Sequence, residues 1–280
     1  MHVTSSELRV IRRGPLLLHL RLLGGIGCVI AEIPEAGTRG SFLEEPCTVA
    51  HWGMVLRGTV ELRRNGDRLV LRAGTVFHVP DGAPAHTFQA DGPAAMVSFE
   101  PVLVGERTVE AALAEPEVGP IDTDAEARPA SLAADAPAPT LFEPPEGPIT
   151  LAGAARSIPI AEGRITAQAA AMGTWVFCEA RFGATSGYAS GWCDLPHWGM
   201  VLRGSLAIEW EQDVEMLLAG DVFYCPPGPP GHRYEAADGA TVIDFTPAEA
   251  LASGGRAISW RPTLADLAHP NGKRRRPVTC

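Results

Sequence analysis

An eight-residue string occurs twice in this chain. His51-Trp52-Gly53-Met54-Val55-Leu56-Arg57-Gly58 recurs unchanged as His197-Trp198-Gly199-Met200-Val201-Leu202-Arg203-Gly204, 146 positions later. The same shift carries Cys47 onto Cys193, Gly74 onto Gly220, Phe77 onto Phe223, Pro80 onto Pro226, Gly82 onto Gly228, His86 onto His232, and Phe99-x-Pro101 onto Phe245-x-Pro247. An ungapped register of about fifty residues predicts two units with matching strand lengths and turns, because a packed interior would have to absorb any insertion. A chain of 280 residues is long enough for both to have a full hydrophobic core.

Within the first copy, Val55-Leu56, Thr59 to Arg63, Arg68 to Leu71 and Val76 to Val79 read as short strands bounded by Gly, Asn, Asp or Pro. Asn65-Gly66 between two of them is a hairpin signal. Strands at this spacing predict an antiparallel sandwich or barrel. Between the copies, Glu106 to Pro148 is rich in Pro, Ala and acidic residues. It reads as a linker that opens with a short helix over Glu106 to Glu115 and then runs extended along the surface, because proline removes donors and fixes φ. Further short helices are expected over Ala248 to Ala252 and Thr263 to Ala268. The predicted division is a first barrel at 1–105, the linker at 106–148, a second barrel at 149–250, and a C-terminal extension with a basic tail at 251–280.

Gly74-x5-Pro80-x-Gly82-x3-His86 and its twin Gly220-x5-Pro226-x-Gly228-x3-His232 resemble the second sequence motif of the cupins, with one extra residue before the histidine. Val55-Leu56-Arg57-Gly58 is similar to the close of the first cupin motif. The resemblance implies an all-β chain of two tandem cupin barrels, each a double-stranded β-helix or jelly roll. The first motif ordinarily supplies two histidines and a glutamate at fixed distances before that glycine. Here the glutamate position holds His51, the second histidine position Cys47 and the first Glu45. In the second copy these positions hold His197, Cys193 and Gly191. Residues two and four apart on a strand share a face, so Glu45, Cys47 and His51 are expected to converge inside the barrel. The family's second motif implies His86 and His232 as the closing ligands.

Taken singly, a cysteine or histidine at these places reads better as a packing residue. As a set that recurs at family ligand positions, Cys47, His51 and His86, with Cys193, His197 and His232, read as two metal sites. A thiolate with two imidazoles suits tetrahedral zinc with a fourth position for water or substrate; iron, copper and nickel are the alternatives. Glu45 is the expected general acid or base, and Gly191 denies the second barrel that carboxylate. The implied function is a metal-dependent enzyme of lyase, isomerase or hydrolase type acting on a small polar metabolite. Two other readings fit the same residues: an Fe(II)-dependent oxygenase with Glu45 among its ligands, and a non-catalytic small-molecule binding protein or sensor.

A net charge of −10 argues against a nucleic-acid surface, and the basic run Lys273 to Arg276 reads as a solvated tail. No apolar run is long enough to span a bilayer and no secretory signal is legible, so a reducing, cytoplasmic setting is expected. Trp52 and Trp198, on the opposite strand face from the histidines, are expected to pack between the barrels. His78, Tyr224 and Cys225 read as core or rim residues; Cys28, Cys178 and Cys280 receive no role. The barrels are expected to pair with each other through edge strands, leaving a monomer or a homodimer.

Overall fold

A computed structural model describes residues 2–3, 7–34, 36–42, 46–101, 128–137, 150–151, 156–160, 165–183 and 190–253. Glu45, the helices expected over Glu106 to Glu115 and Thr263 to Ala268, Cys280 and the run Lys273 to Arg276 lie outside the described residues.

The first half contributes β1 (His2–Val3), β2 (Arg9–Arg13), β3 (Leu16–Leu23), β4 (Ile26–Ile33), β5 (Arg39–Ser41), β6 (His51–Arg57), β7 (Thr59–Arg64), β8 (Asp67–Arg72), β9 (Val76–Val79), β10 (His86–Asp91) and β11 (Ala94–Pro101). Helix α1 (Arg128–Asp135) follows. The second half contributes β12 (Thr150–Leu151), β13 (Arg156–Ile160), β14 (Ile165–Met172), β15 (Trp175–Phe182), β16 (His197–Trp210), β17 (Val214–Leu218), β18 (Val222–Cys225), β19 (His232–Glu235), β20 (Ala240–Pro247) and helix α2 (Ala248–Ala252).

Among the described residues the first barrel is made of the antiparallel sheet β12-β9-β6-β11-β4-β3-β2 and a second sheet, β5-β10-β7-β8. The second barrel orders its strands β1-β18-β16-β20-β15-β14-β13, and the long strand β16 runs on past Gly204 to pair with β17 and β19. This is the all-β, two-barrel architecture the motifs implied. The β7–β8 hairpin turns on Asn65 and Gly66, both at positive φ (53° and 82°), as the dipeptide predicts. Gly58 and Gly204 are invariant between the copies for a steric reason. Each has positive φ, 71° and 73°, and a Cβ there would lie 2.1 Å from the carbonyl oxygen of Pro93 or 2.0 Å from that of Gly239.

Each barrel encloses its own apolar interior. One is built from residues such as Val55, Leu62, Phe77 and Phe88, the other from Val201, Leu206, Phe223 and Tyr234. A third cluster lies between the barrels and takes the alternate residues of the same strands: Trp52, Met54 and Leu56 of β6, and Trp198, Met200 and Leu202 of β16. Trp52 stacks on Trp175 with centroids 4.0 Å apart. Trp198 stacks on Tyr224 at 4.8 Å and donates its indole N–H to the Leu23 carbonyl, 2.8 Å away. The two tryptophans therefore lie where the strand alternation put them.

Two features differ from the expectations. The barrels join face to face rather than edge to edge, and each borrows a short strand from the other half of the chain: β1 pairs with β18, and β12 with β9. Within the linker, residues 128–135 are helical instead of extended. Pro129 lies in the first turn of α1, where its missing N–H costs nothing, and Leu132 and Ala133 are buried in the inter-barrel cluster. The helix is tied to both barrels. Arg128 pairs with the fully buried Glu32 at 2.6 Å, and Arg203 donates to the Ala136 carbonyl at 3.0 Å. Burial pushes the Glu32 carboxyl up, but hydrogen bonds and charge from Arg128 and Arg57 outweigh it and hold the group below the usual range. The helix expected over Ala248 to Ala252 forms as α2. No helix among the described residues is long and apolar enough to cross a membrane.

Trp52→Ala removes a buried indole from the centre of the interface and should cost about 3–5 kcal/mol, read from the denaturant midpoint. His19 is fully buried, and burial lowers its pKa to about 4 despite the nearby Glu32 charge, which opposes the shift. The unfolded chain therefore takes up a proton near pH 6.5 that the folded chain refuses until about pH 4. Stability should fall as pH drops through that window, and His19→Leu should flatten the slope by one proton, about 1.4 kcal/mol per pH unit. An unchanged slope would refute the assignment.

Candidate metal centres

In the first barrel Cys47 precedes β6 and is held to His86, at the start of β10, by an isolated antiparallel bridge. Its two hydrogen bonds, Cys47 N–H to the His86 carbonyl and His86 N–H to the Cys47 carbonyl, are both 2.8 Å. The chain bends at Val49 before His51 opens β6, so Cys47 and His51 do not lie on the single alternating strand expected from sequence. The cluster instead arises across the two sheets: the bridge aligns Cys47 with His86 at the start of β10, and His51 comes from β6 of the other sheet. Ligand atoms from the three side chains all lie within 4.8 Å of one another.

The second barrel repeats this arrangement with Cys193, His197 and His232, whose ligand atoms also lie within 4.8 Å of one another. The Cys193–His232 bridge has bonds of 2.7 and 2.9 Å. His51 Nε2 is 3.5 Å from Cys47 Sγ, and His197 Nε2 is 3.2 Å from Cys193 Sγ. The histidine rings cross nearly at right angles in both clusters, with centroids 5.0 Å apart. Each sulfur also receives a backbone N–H, from Val49 at 3.3 Å and Leu195 at 3.5 Å.

The histidines of the first cluster are neutral at pH 7. Burial, helped by His86, lowers His51 to about 3; burial, helped by the Arg64 charge, lowers His86 to about 4. Neutral imidazole is the form that binds a metal. Both ring nitrogens of His86 are buried with no hydrogen-bond partner among the described residues. Such a group is costly to bury unless something else engages it, so the donor set fits a metal ion.

Behind each central histidine is a group that sequence reasoning missed. His51 Nδ1 is 3.1 Å from a Glu100 carboxylate oxygen and 3.2 Å from the Ser98 hydroxyl. In the second barrel His197 Nδ1 is 2.7 Å from the Thr246 hydroxyl and 4.0 Å from an Asp244 carboxylate oxygen. The repeat register equates Ser98 with Asp244 and Glu100 with Thr246, so acid and hydroxyl have exchanged places on β11 and β20 while the histidine keeps one of each. The available signal was the pair of polar residues flanking Phe99 and Phe245. Burial raises the Glu100 carboxyl to about 7. A carboxylate oxygen and a hydroxyl beside Nδ1 favour the tautomer that carries its proton there and leaves the Nε2 lone pair toward the sulfur.

The surroundings differ between the barrels. Arg64, where the second barrel has Trp210, is buried and donates to the carbonyls of Pro80, Gly82 and Pro84 at 3.2, 3.2 and 3.0 Å, pinning the turn that precedes His86. Phe88, beside His51 and His86, corresponds to Tyr234, and Val79 to Cys225. His78 and Tyr224 face the partner barrel instead of the clusters: a Cβ at Gly173 would strike the His78 ring, and one at Gly24 the Tyr224 ring.

Residues 33–100 match the sequence model of the family described as Cupin domain. No curated protein matches the chain by sequence. Among solved structures, AerE from Microcystis aeruginosa superposes with a TM-score of 0.58 at 14% identity, over 86% of this chain and 96% of that one. Bacillus subtilis oxalate decarboxylase, in which Mn(II) centres are described, gives 0.57 at 14% identity over 88% and 77%. The E. coli protein Ylba gives 0.56 at 9% identity over 88% and 89%.

Proposed function

From the premise that this chain is a two-barrel cupin, we propose that it is a metal-dependent enzyme acting on a small polar metabolite. The observation that carries the reading is the recurrence of a Cys/His/His set with donor atoms within 4.8 Å, each set backed by a carboxylate and a hydroxyl at the central histidine. A structural histidine needs partners at its own polar atoms only. It does not need a neutralised imidazole, an N–H-solvated sulfur and a second imidazole converging on the same few ångströms.

Cys47, His51 and His86 hold the metal in the first barrel, and Cys193, His197 and His232 in the second. Zinc is the metal we assign. The oxalate decarboxylase has Mn(II) centres, but a thiolate among the donors here favours a softer ion than manganese. Zinc bound at such a set supplies a Lewis acid that polarises a substrate oxygen or lowers the pKa of bound water to about 7. That chemistry belongs to lyase, isomerase or hydrolase reactions. Glu100 and Ser98 orient His51, Arg64 keeps the turn before His86 in place, and the apolar barrel wall excludes bulk water. Glu45, two residues before Cys47, is our assignment for the acid or base that meets the substrate.

Elemental analysis of the purified chain should find about two metal ions per chain, predominantly zinc, falling to about one in Cys47→Ser/His51→Ala. Absence of zinc, iron, copper and nickel from the wild-type chain would refute the reading. Glu100→Gln should keep the fold while weakening metal at the first site by about 10–100-fold in a competition titration.

A further inference from the structure

The two clusters differ at the residue opposite the central histidine. In the first barrel the β6–β9 register sets Val79 across from His51; in the second, the β16–β18 register sets Cys225 across from His197. Directly opposed residues of antiparallel strands point to the same face, with Cβ atoms about 4.5–5.5 Å apart. Cys225 therefore faces the same interior wall as His197, and both are fully buried. Its sulfur lies outside the group of donors within 4.8 Å of one another and contacts the Tyr234 hydroxyl at 3.6 Å. The Tyr234 ring in turn packs against His232 and His197, with centroids 5.4 and 6.4 Å away. The second barrel thus puts a thiol and a phenol on the wall of its cluster where the first barrel has a valine and a phenylalanine.

We propose that Cys225 is the fourth donor of the second site, which makes it a closed Cys2His2 centre with Cys193, His197 and His232, while the first remains an open Cys-His-His centre. The inference rests on the metal reading above. To hold the ion, the Cys225 thiol would give its proton to solvent and its sulfur would leave the 3.6 Å contact with the Tyr234 hydroxyl. Four protein donors are the mark of structural zinc, and three with a vacancy the mark of catalytic zinc. The assignment divides the labour between the barrels: the second is held together by its ion, and the first meets the substrate. It also accounts for two other differences. Cys193 is fully buried whereas Cys47 is partly exposed, and the second barrel has Gly191 where the first has Glu45.

The test uses the full-length chain loaded with cobalt(II), whose thiolate charge-transfer absorption scales with the number of bound sulfurs. Cys225→Val introduces the residue that the first barrel already carries at this place. With three thiolates reduced to two, it should lower the charge-transfer intensity per chain by about one third while about two cobalt ions remain bound. Unchanged intensity with both ions bound overturns the inference and leaves the metal reading standing. Failure of the wild-type chain to bind cobalt or zinc overturns both. X-ray absorption on the zinc-loaded wild-type chain gives the same answer without a variant: about 1.5 sulfurs per zinc supports Cys225 as a ligand, and about 1.0 excludes it.

Discussion

Strand β6 and its counterpart, the first part of β16, are buried on both faces, and most of the structure depends on that double burial. Successive side chains of a strand point in opposite directions, so His51 and Val55 enter the first barrel while Trp52, Met54 and Leu56 enter the cluster between the barrels. The same holds for His197 and Trp198. A slip of one residue would send the cluster histidine into the apolar interface and an indole into the barrel interior. The placing of the Cys/His/His clusters and the association of the barrels are thereby fixed by one register. This explains why the eight residues spanning both roles are identical in the two copies.

The glycines of that string meet the same constraint from the backbone side. Cβ atoms at Gly53 and Gly199 would collide with the carbonyls of Val97 and Ile243 on the neighbouring strands. Gly58 and Gly204 provide the positive φ at which the strand turns from the inter-barrel sheet into the opposite one. Close approach of β11 to β6 also brings Ser98 and Glu100 behind His51. Tight packing of the sheet and orientation of the histidine are consequences of a single contact.

Around this shared frame the two barrels have diverged at the positions that touch the clusters. Arg64 faces Trp210 across the repeat, Phe88 faces Tyr234, Val79 faces Cys225, and the carboxylate has moved from the Glu100 position to that of Asp244. The exchange of acid and hydroxyl preserves what the histidine needs, a carboxylate and a hydroxyl near Nδ1, although each comes from a different place on the strand. The other differences alter polarity next to the donors without altering the strands that hold them.

The duplication, the all-β barrel pattern, the Asn65-Gly66 turn and the inter-barrel role of the tryptophans were legible in the sequence, and the six residues that gather into two clusters were legible through its resemblance to the cupins. The first four are carried by the repeat itself, by period-two alternation or by turn chemistry, which the sequence displays directly, whereas the Cys/His/His set, His86 and His232 above all, came from the resemblance to the cupin motifs. How those pieces meet is settled only in three dimensions. The Cys47–His86 and Cys193–His232 bridges, the carboxylates of Glu100 and Asp244 behind the histidines, the burial of α1 between the barrels and the exchange of β1 and β12 all join residues far apart in the chain. No local pattern encodes such pairings. They follow from which faces remain apolar once the strands have formed, and from which buried polar atoms must then find partners.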